Sequence, residues 1–191
     1  MSENNSGVDK SFIHTTTGTN AQEAERLCRR GMDRLLDVNN WHHYAGEGSA
    51  VFQRMDENGL ALTGMVQPTD FIRIELPGPR IGRGFDWVAV EELHSGDCRT
   101  RLIVRPCADP TSAENTTAHF LNNEATSTFE VELEGLQVFA RIFGKNEKPN
   151  DESKGLLQKT RDFLVGLGAI AGASDTQWNR LVKGFLADSA D

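Results

Sequence analysis

An alternation of apolar and polar side chains with a period of two constrains the fold of this chain more than any other feature. It is clear in FIRIE at 71–75 and recurs at 99–105 and 128–134. Successive side chains of a strand point to opposite faces, so this period predicts half-buried strands. Short turns such as DENG at 56–59, between predicted strands at 51–55 and 60–65, predict antiparallel pairing. The sequence therefore predicts a β core over about 41–143.

Helical spacing of apolar side chains flanks this core on both sides. A stripe over 21–38 predicts an amphipathic helix, capped by Thr19 or Asn20. Two more stripes within about 152–187, the second preceded by the capping box SDTQ at 174–177, predict two C-terminal helices. We expect an α+β fold: an antiparallel β-barrel, for instance an SH3-like one, or a strongly curled sheet, with one N-terminal and two C-terminal helices.

The first 19 residues differ in composition from the rest. Residues 1–19 are polar and rich in Gly, Ser and Thr, which predicts a disordered tail. Residues 20–191 are expected to form a single α+β domain. The start of the sequence lacks the pattern of a signal peptide, and no apolar run approaches the ~18 residues of a membrane span. We therefore expect a cytoplasmic protein without membrane contact.

Charge and cysteine content restrict the partners. The chain has 28 acidic and 20 basic residues, a net charge of −8, which disfavours nucleic-acid binding. Cys28, Cys98 and Cys107 are odd in number and widely spaced, which suggests neither a disulfide framework nor a zinc site. Reduced thiols fit a cytosolic protein. No metal and no cofactor are predicted.

The loop PGPRIGRG at 77–84 is the strongest candidate contact site. It sets Arg80 and Arg83 among three glycines, and their guanidinium groups suit a phosphate or a carboxylate. Trp87 and His119 are the residues predicted to lie near such an anion. Pro and Gly are equally common in ordinary wide turns, so a purely structural role is the alternative.

No complete catalytic or metal-binding pattern is found. GLGAIAG at 166–172 resembles a dinucleotide-binding turn, but it follows a helical stripe instead of a strand. His42 and His43 are adjacent on what the period suggests is a strand, so their rings would point to opposite faces. No catalytic residue is assigned.

Two features of the sheet faces stand out. Three glutamates share one face of a predicted strand, where cross-strand arginines are expected to neutralise them. The glutamates are Glu130, Glu132 and Glu134, and the arginines are Arg99, Arg101 and Arg141. In addition, 86–93 and 136–143 are apolar on both faces. Either a terminal helix covers their outer face, or an exposed aromatic patch receives a partner.

Several strings of the sequence resemble a small family of hypothetical bacterial proteins. They are DWVAVEEL after the glycine-rich loop, AHFLNNEATSTFEVELEG, GKNEKPN and TQWNRLVKGFL. The resemblance extends over most of residues 20–187. It implies a bacterial source and no established activity, and it supplies no catalytic residues.

The sequence thus favours a non-catalytic, intracellular binding or assembly module that acts through contacts with another protein or with itself. The alternative is a small-molecule binder or enzyme that holds an anion with the loop from Pro77 to Gly84.

Overall fold

The computed structural model describes residues 8–75, 85–112, 126–147 and 173–188. These contain seven strands: β1 (Val8–Thr17), β2 (Val51–Met55), β3 (Phe71–Glu75), β4 (Asp86–Ser95), β5 (Arg99–Pro106), β6 (Thr126–Glu134) and β7 (Gln137–Glu147). They also contain a 3-10 turn (Val38–Asn40) and three α-helices: α1 (Ala21–Leu36), α2 (Trp41–Ala45) and α3 (Ala173–Leu186).

The strands form one antiparallel sheet in the order β1-β7-β6-β5-β4-β3-β2. Strands β2 to β6 each pair with the next strand in sequence, whereas β1 pairs with β7. The sheet is strongly curled, which confirms the predicted α+β fold. In the described residues β1 and β2 stay unpaired with each other, so the curled sheet is open at these two edges.

An aromatic cluster fills the concave side of the sheet, where α1 and α3 pack. The ring centroid of Trp41 lies 5.1 Å from that of Phe52, 4.5 Å from Phe129 and 5.9 Å from Phe185. The Trp178 ring lies 5.9 Å from Phe129 and 6.1 Å from Phe52. All five side chains are buried, so large rings from α2, from α3 and from the sheet share one core.

The N-terminal strand differs from the sequence prediction, which assigned residues 1–19 to a disordered tail. Val8–Thr17 form β1 and pair with β7 from Glu147 to Gln137. Phe12 is buried, but the strand is otherwise mostly polar, so its apolar pattern is weak. Backbone hydrogen bonds to β7 and the β-branched threonines stabilise it instead.

The start of the predicted β core is also different. Residues 41–45 are helical, so His42 and His43 lie on α2 and not on a strand. The expected hairpin partner at 60–65 makes only an isolated bridge between Met55 and Ala61, and β2 pairs with β3 instead. The first helix, capped by the Asn20 side chain at the Glu23 N–H, agrees with the prediction.

The second predicted C-terminal helix is present as α3, whereas the first one lies outside the described residues. Helix α3 packs on the concave face, so the hypothesis that a terminal helix covers the outer face now concerns the helix that lies outside the described residues. Among the described helices, none has the length and apolar character to cross a membrane.

Candidate functional site

One end of the sheet collects most of the features that suggest binding. Cross-strand pairing joins Ile74 to Asp86 and Val88 to Pro106, so β3 and β5 end where β4 begins. Thr126 pairs with Lys145, so β6 begins and β7 ends there as well. We call this edge the loop end of the sheet.

The sequence-predicted contact residues divide between described and undescribed parts of the chain. Arg80, Arg83 and His119 lie outside the described residues, so their role stays a prediction. Trp87 is described; it lies near the start of β4 opposite Arg73 and is buried. Its indole N–H has no hydrogen-bond partner in the described part of the chain. A buried donor without a partner is unfavourable, so this N–H is a candidate to bind an acceptor from a ligand.

Three polar side chains lie on the concave side of the sheet towards the loop end, and we call them together the inner polar cluster: Asp86, Gln177 and Trp178. Asp86 pairs with Ile74, which in turn pairs with Phe52, and the Phe52 ring contacts Trp178. The Gln177 Oε1 accepts a hydrogen bond of 3.1 Å from the Ala50 N–H, one residue before β2. The start of α3 therefore lies against the start of β2, and Asp86 lies two strands away at the start of β4.

The nitrogen donors of this cluster are buried without partners. Trp178 is 0% exposed and Gln177 is 6% exposed. Within the described ranges, neither the Trp178 Nε1–H nor the Gln177 Nε2–H donates a hydrogen bond. A buried N–H without an acceptor costs about 1–3 kcal/mol, so two in one place favour an acceptor that comes from outside the described core.

The carboxyl group of Asp86 adds a titratable group to the cluster. Its alternation with Val88 and Val90 places it on the concave face beside Ile74. Burial raises the pKa of Asp86 to about 7, because the desolvated carboxylate is disfavoured relative to the neutral acid. Near neutral pH the group is therefore partly protonated, and the neutral acid can donate a hydrogen bond.

The glutamates of β6 form an ion-pair network on the outer face of the sheet, as the sequence predicted. The buried Glu130 carboxylate accepts hydrogen bonds from Arg99 (2.6 Å), Arg101 (2.9 Å) and Arg141 (3.1 Å). Arg141 also binds Glu132 and Glu134 at 2.6 and 2.7 Å. The network is charge-balanced and internally satisfied, so it supports a structural role for this face.

The arginines of α1 are also partly engaged within the molecule. Arg34 donates hydrogen bonds of 2.7 Å to the backbone carbonyls of Gly184 and Ala187, at the end of α3. Arg30 binds the Leu186 carbonyl at 3.3 Å and Asp188 at 2.9 Å. These two arginines cap the C-terminus of α3, where positive charge is favourable.

Neither Cys28, Cys107 nor the two histidines of α2 has the features of a catalytic group. Burial raises the pKa of Cys28 to about 11 and that of Cys107 to about 12, so both remain thiols at neutral pH. The rings of His42 and His43 stack 3.8 Å apart on α2, and burial, followed by the charge of His43, lowers the pKa of His42. Among the described residues no group of three His, Cys, Asp or Glu side chains has the geometry of a metal site.

Comparison with known proteins identifies a fold and no activity. No family model and no curated protein matches the chain. A hypothetical protein of Helicobacter pylori has a TM-score of 0.56 and 15% identity, over 94% of this chain and 89% of the other. The two chains share a fold. This agrees with the resemblance to hypothetical bacterial proteins.

Other solved structures are more distant. A protein of Nitrosospira multiformis has a TM-score of 0.45 and 9% identity, over 92% of this chain and 96% of its own. The norcoclaurine synthase of Thalictrum flavum has a TM-score of 0.45 and 9% identity, over 93% of this chain and 89% of its own.

Sequence reasoning missed the inner polar cluster. It treated Trp178 as part of an apolar stripe and Asp86 as the first residue of a two-faced strand. The sequence did contain a signal for Asp86. It alternates with Val88 and Val90 at a period of two, which places its carboxyl group on the same core-facing side of the strand.

Proposed function

We propose that this protein is a cytoplasmic, non-catalytic binding protein that holds a small ligand at the loop end of its sheet. The observation that supports the proposal is the pair of buried, unpartnered N–H groups of Gln177 and Trp178, on the same side of the sheet as the Asp86 carboxyl. Groups of this kind are typical of ligand sites, which are mostly apolar with a few polar side chains that orient the ligand.

The chemistry of the cluster selects the ligand class. Two N–H donors and a protonated carboxyl can each donate to an oxygen acceptor, and the aromatic cluster beside them is apolar. The ligand we propose is an organic acid with an apolar body, whose carboxylate oxygens accept these hydrogen bonds. Arg80 and Arg83 would then add positive charge from the loop of Pro77 to Gly84, which stays a prediction of the sequence.

A thermal-shift panel of nucleotides, sugar phosphates and apolar carboxylic acids tests this function. A ligand at 100 times its Kd adds about 2.7 kcal/mol, which raises the Tm of a chain of this length by about 5–10 °C. We expect the largest shift from apolar carboxylic acids, and a smaller one in Trp178→Phe, which removes the N–H and keeps an aromatic ring. Glu134→Gln, on the outer face, is the matched control and should respond like the parent protein.

The pH dependence of binding provides a second test of the same site. Because Asp86 loses its proton above a pKa of about 7, it changes from a donor into a negative charge that repels a carboxylate. Affinity for an organic acid should therefore fall between pH 6 and pH 8.5, and the fall should be smaller in Asp86→Asn. An absence of any Tm shift across the panel, or equal shifts in the parent and Trp178→Phe, would contradict the proposal.

Self-association is the second candidate function, and the exposed Ile13 favours it. Ile13 is 53% exposed on β1, the edge strand of the sheet. A strand at an open sheet edge can pair with a second copy of the chain, and an exposed apolar side chain on it adds to the contact. Light scattering after size-exclusion chromatography should then give a dimer that Ile13→Lys converts to a monomer, whereas a parent protein that is monomeric at high concentration excludes this function.

A further inference from the structure

Two cysteines that are 70 positions apart in sequence meet between α1 and the turn that joins β4 to β5. The Cys28 Sγ lies 3.4 Å from the backbone carbonyl oxygen of Cys98, and this carbonyl also accepts a 2.9 Å hydrogen bond from the Leu133 N–H. The main chain of Cys98 is therefore held against β6, directly beside the Cys28 sulfur.

The electrostatic coupling of the two thiols is consistent with this geometry. Burial is the main cause of the raised pKa of Cys28, and the charge of an ionised Cys98 raises it further, followed by that of Glu132. Charges interact over several ångströms, so this coupling agrees with the contact between the Cys28 sulfur and the Cys98 backbone. The Met32 thioether, 3.6 Å from the Cys28 Sγ, occupies the adjacent position on α1.

The two thiols differ in accessibility. Cys98 is exposed in its turn, whereas Cys28 is buried. An exposed thiol is the one that an oxidant reaches first, and a neighbouring thiol then resolves the oxidised sulfur. Cys107 lies at the opposite end of β5, on the loop-end side, and is therefore a poor partner for either residue.

We propose that Cys28 and Cys98 form an intramolecular disulfide when the protein meets hydrogen peroxide. In the first step the Cys98 thiol is oxidised to a sulfenic acid and one water is released. In the second step the Cys28 sulfur attacks the Cys98 sulfur, the S–S bond forms and a second water leaves. Two thiols thus lose two protons and two electrons, and one peroxide is reduced to two waters.

The bond would connect α1 covalently to the β4–β5 turn and close a loop of about 70 residues. A closed loop of this size restricts the unfolded chain, so oxidation should raise the Tm by about 9–18 °C, reversibly with dithiothreitol. The proposal concerns the opposite end of the sheet from the inner polar cluster, so it is independent of the proposed ligand.

Thiol counting and peptide mapping of the full chain test the disulfide. After peroxide treatment the number of free thiols should fall from three to one, with no covalent dimer on a non-reducing gel. Trypsin should then release residues 27–29 cross-linked to 84–99, since arginines precede and end both segments. Cys107→Ser is the matched control and should give the same cross-linked peptide.

Cys98→Ser is the decisive variant, because the residue is exposed in a turn and its replacement should not disturb folding. It should keep both remaining thiols and show no rise in Tm on oxidation. The proposal is overturned if peroxide converts Cys98 to a sulfenic acid that dimedone traps while Cys28 remains free. It is equally overturned if Cys98 links only to Cys107 or to a second molecule.

Discussion

The buried glutamate of the outer face allows a quantitative prediction. The Glu130 side chain is 3% exposed and binds three arginines, of which Arg141 is the most buried, at 17% exposure. A hydrogen bond to a charged group contributes about 1.5–3 kcal/mol when buried. Arg99 and Arg101 are more exposed, so their contributions are discounted to about 0.5 kcal/mol each.

Glu130→Gln keeps the size of the side chain and removes its charge. With the lower value of about 1.5 kcal/mol for the partly exposed Arg141, the three contributions sum to about 2.5 kcal/mol. The remaining amide oxygen still accepts one hydrogen bond, so we expect a loss of about 2 kcal/mol at pH 7. Urea unfolding measures this difference directly. Glu134→Gln is the matched control: its carboxylate binds Arg141 but is 55% exposed, so the loss should stay below about 0.5 kcal/mol.

The effect of Glu130→Gln should also depend on pH. Burial raises the pKa of Glu130, but hydrogen bonds from Arg99, Arg141 and Arg101 outweigh it and hold the pKa below the usual value. A carboxylate with a lowered pKa in the folded state contributes stability above its unfolded-state pKa and loses this contribution as the pH falls through its folded-state pKa. The difference between parent and variant should therefore narrow between pH 5 and pH 3. Equal losses of unfolding free energy in Glu130→Gln and Glu134→Gln would refute this account. A difference between the parent protein and Glu130→Gln that widens as the pH falls would refute it as well.

Three further predictions concern the core. Asp86→Asn should stabilise the protein on the order of 2 kcal/mol at pH 8, and less at pH 5. The reason is that the parent protein loses stability as the pH rises from about 4 towards the folded-state pKa of Asp86, about 7. Urea unfolding at pH 5 and at pH 8 checks this. Gly184→Ala should lower the Tm markedly, since its Cβ would lie 2.2 Å from the Tyr44 carbonyl oxygen, whereas Gly96→Ala should have little effect. Trp41→Ala should destabilise the fold by about 3–5 kcal/mol in urea unfolding, with lost near-ultraviolet circular dichroism.

Elements with a strong periodic pattern could be predicted, and elements stabilised mainly by distant partners could not. The stripe of α1 and the alternation of β5 and β6 are visible locally, as is the pairing of Glu130 with arginines. Strand β1 is not, because its polar threonines form a strand only through backbone pairing with β7, more than a hundred residues away. The α2 helix is only five residues long, and its Trp41 is buried by side chains from other elements.

The candidate site could be predicted only in part for the same reason. The sequence indicated Trp87 and the loop before it, but it could not show that Gln177 lies against Ala50. This contact depends on how α3 is placed on the sheet, and no local pattern reports it. The predicted strand at 60–65 did not form a regular hairpin because the Asn39 side chain binds the Arg54 N–H and the Leu62 carbonyl, two groups that a hairpin would pair with each other.

The shared aromatic core has a consequence for the order of events during synthesis. Trp178 and Phe185 complete the cluster around Trp41, Phe52 and Phe129, and they are among the last of the described residues to leave the ribosome. Until then the concave face of the sheet is without two of its rings, and apolar surface stays open to solvent. A nascent chain stalled before residue 173 should therefore bind a general chaperone, and it should be released once α3 has emerged.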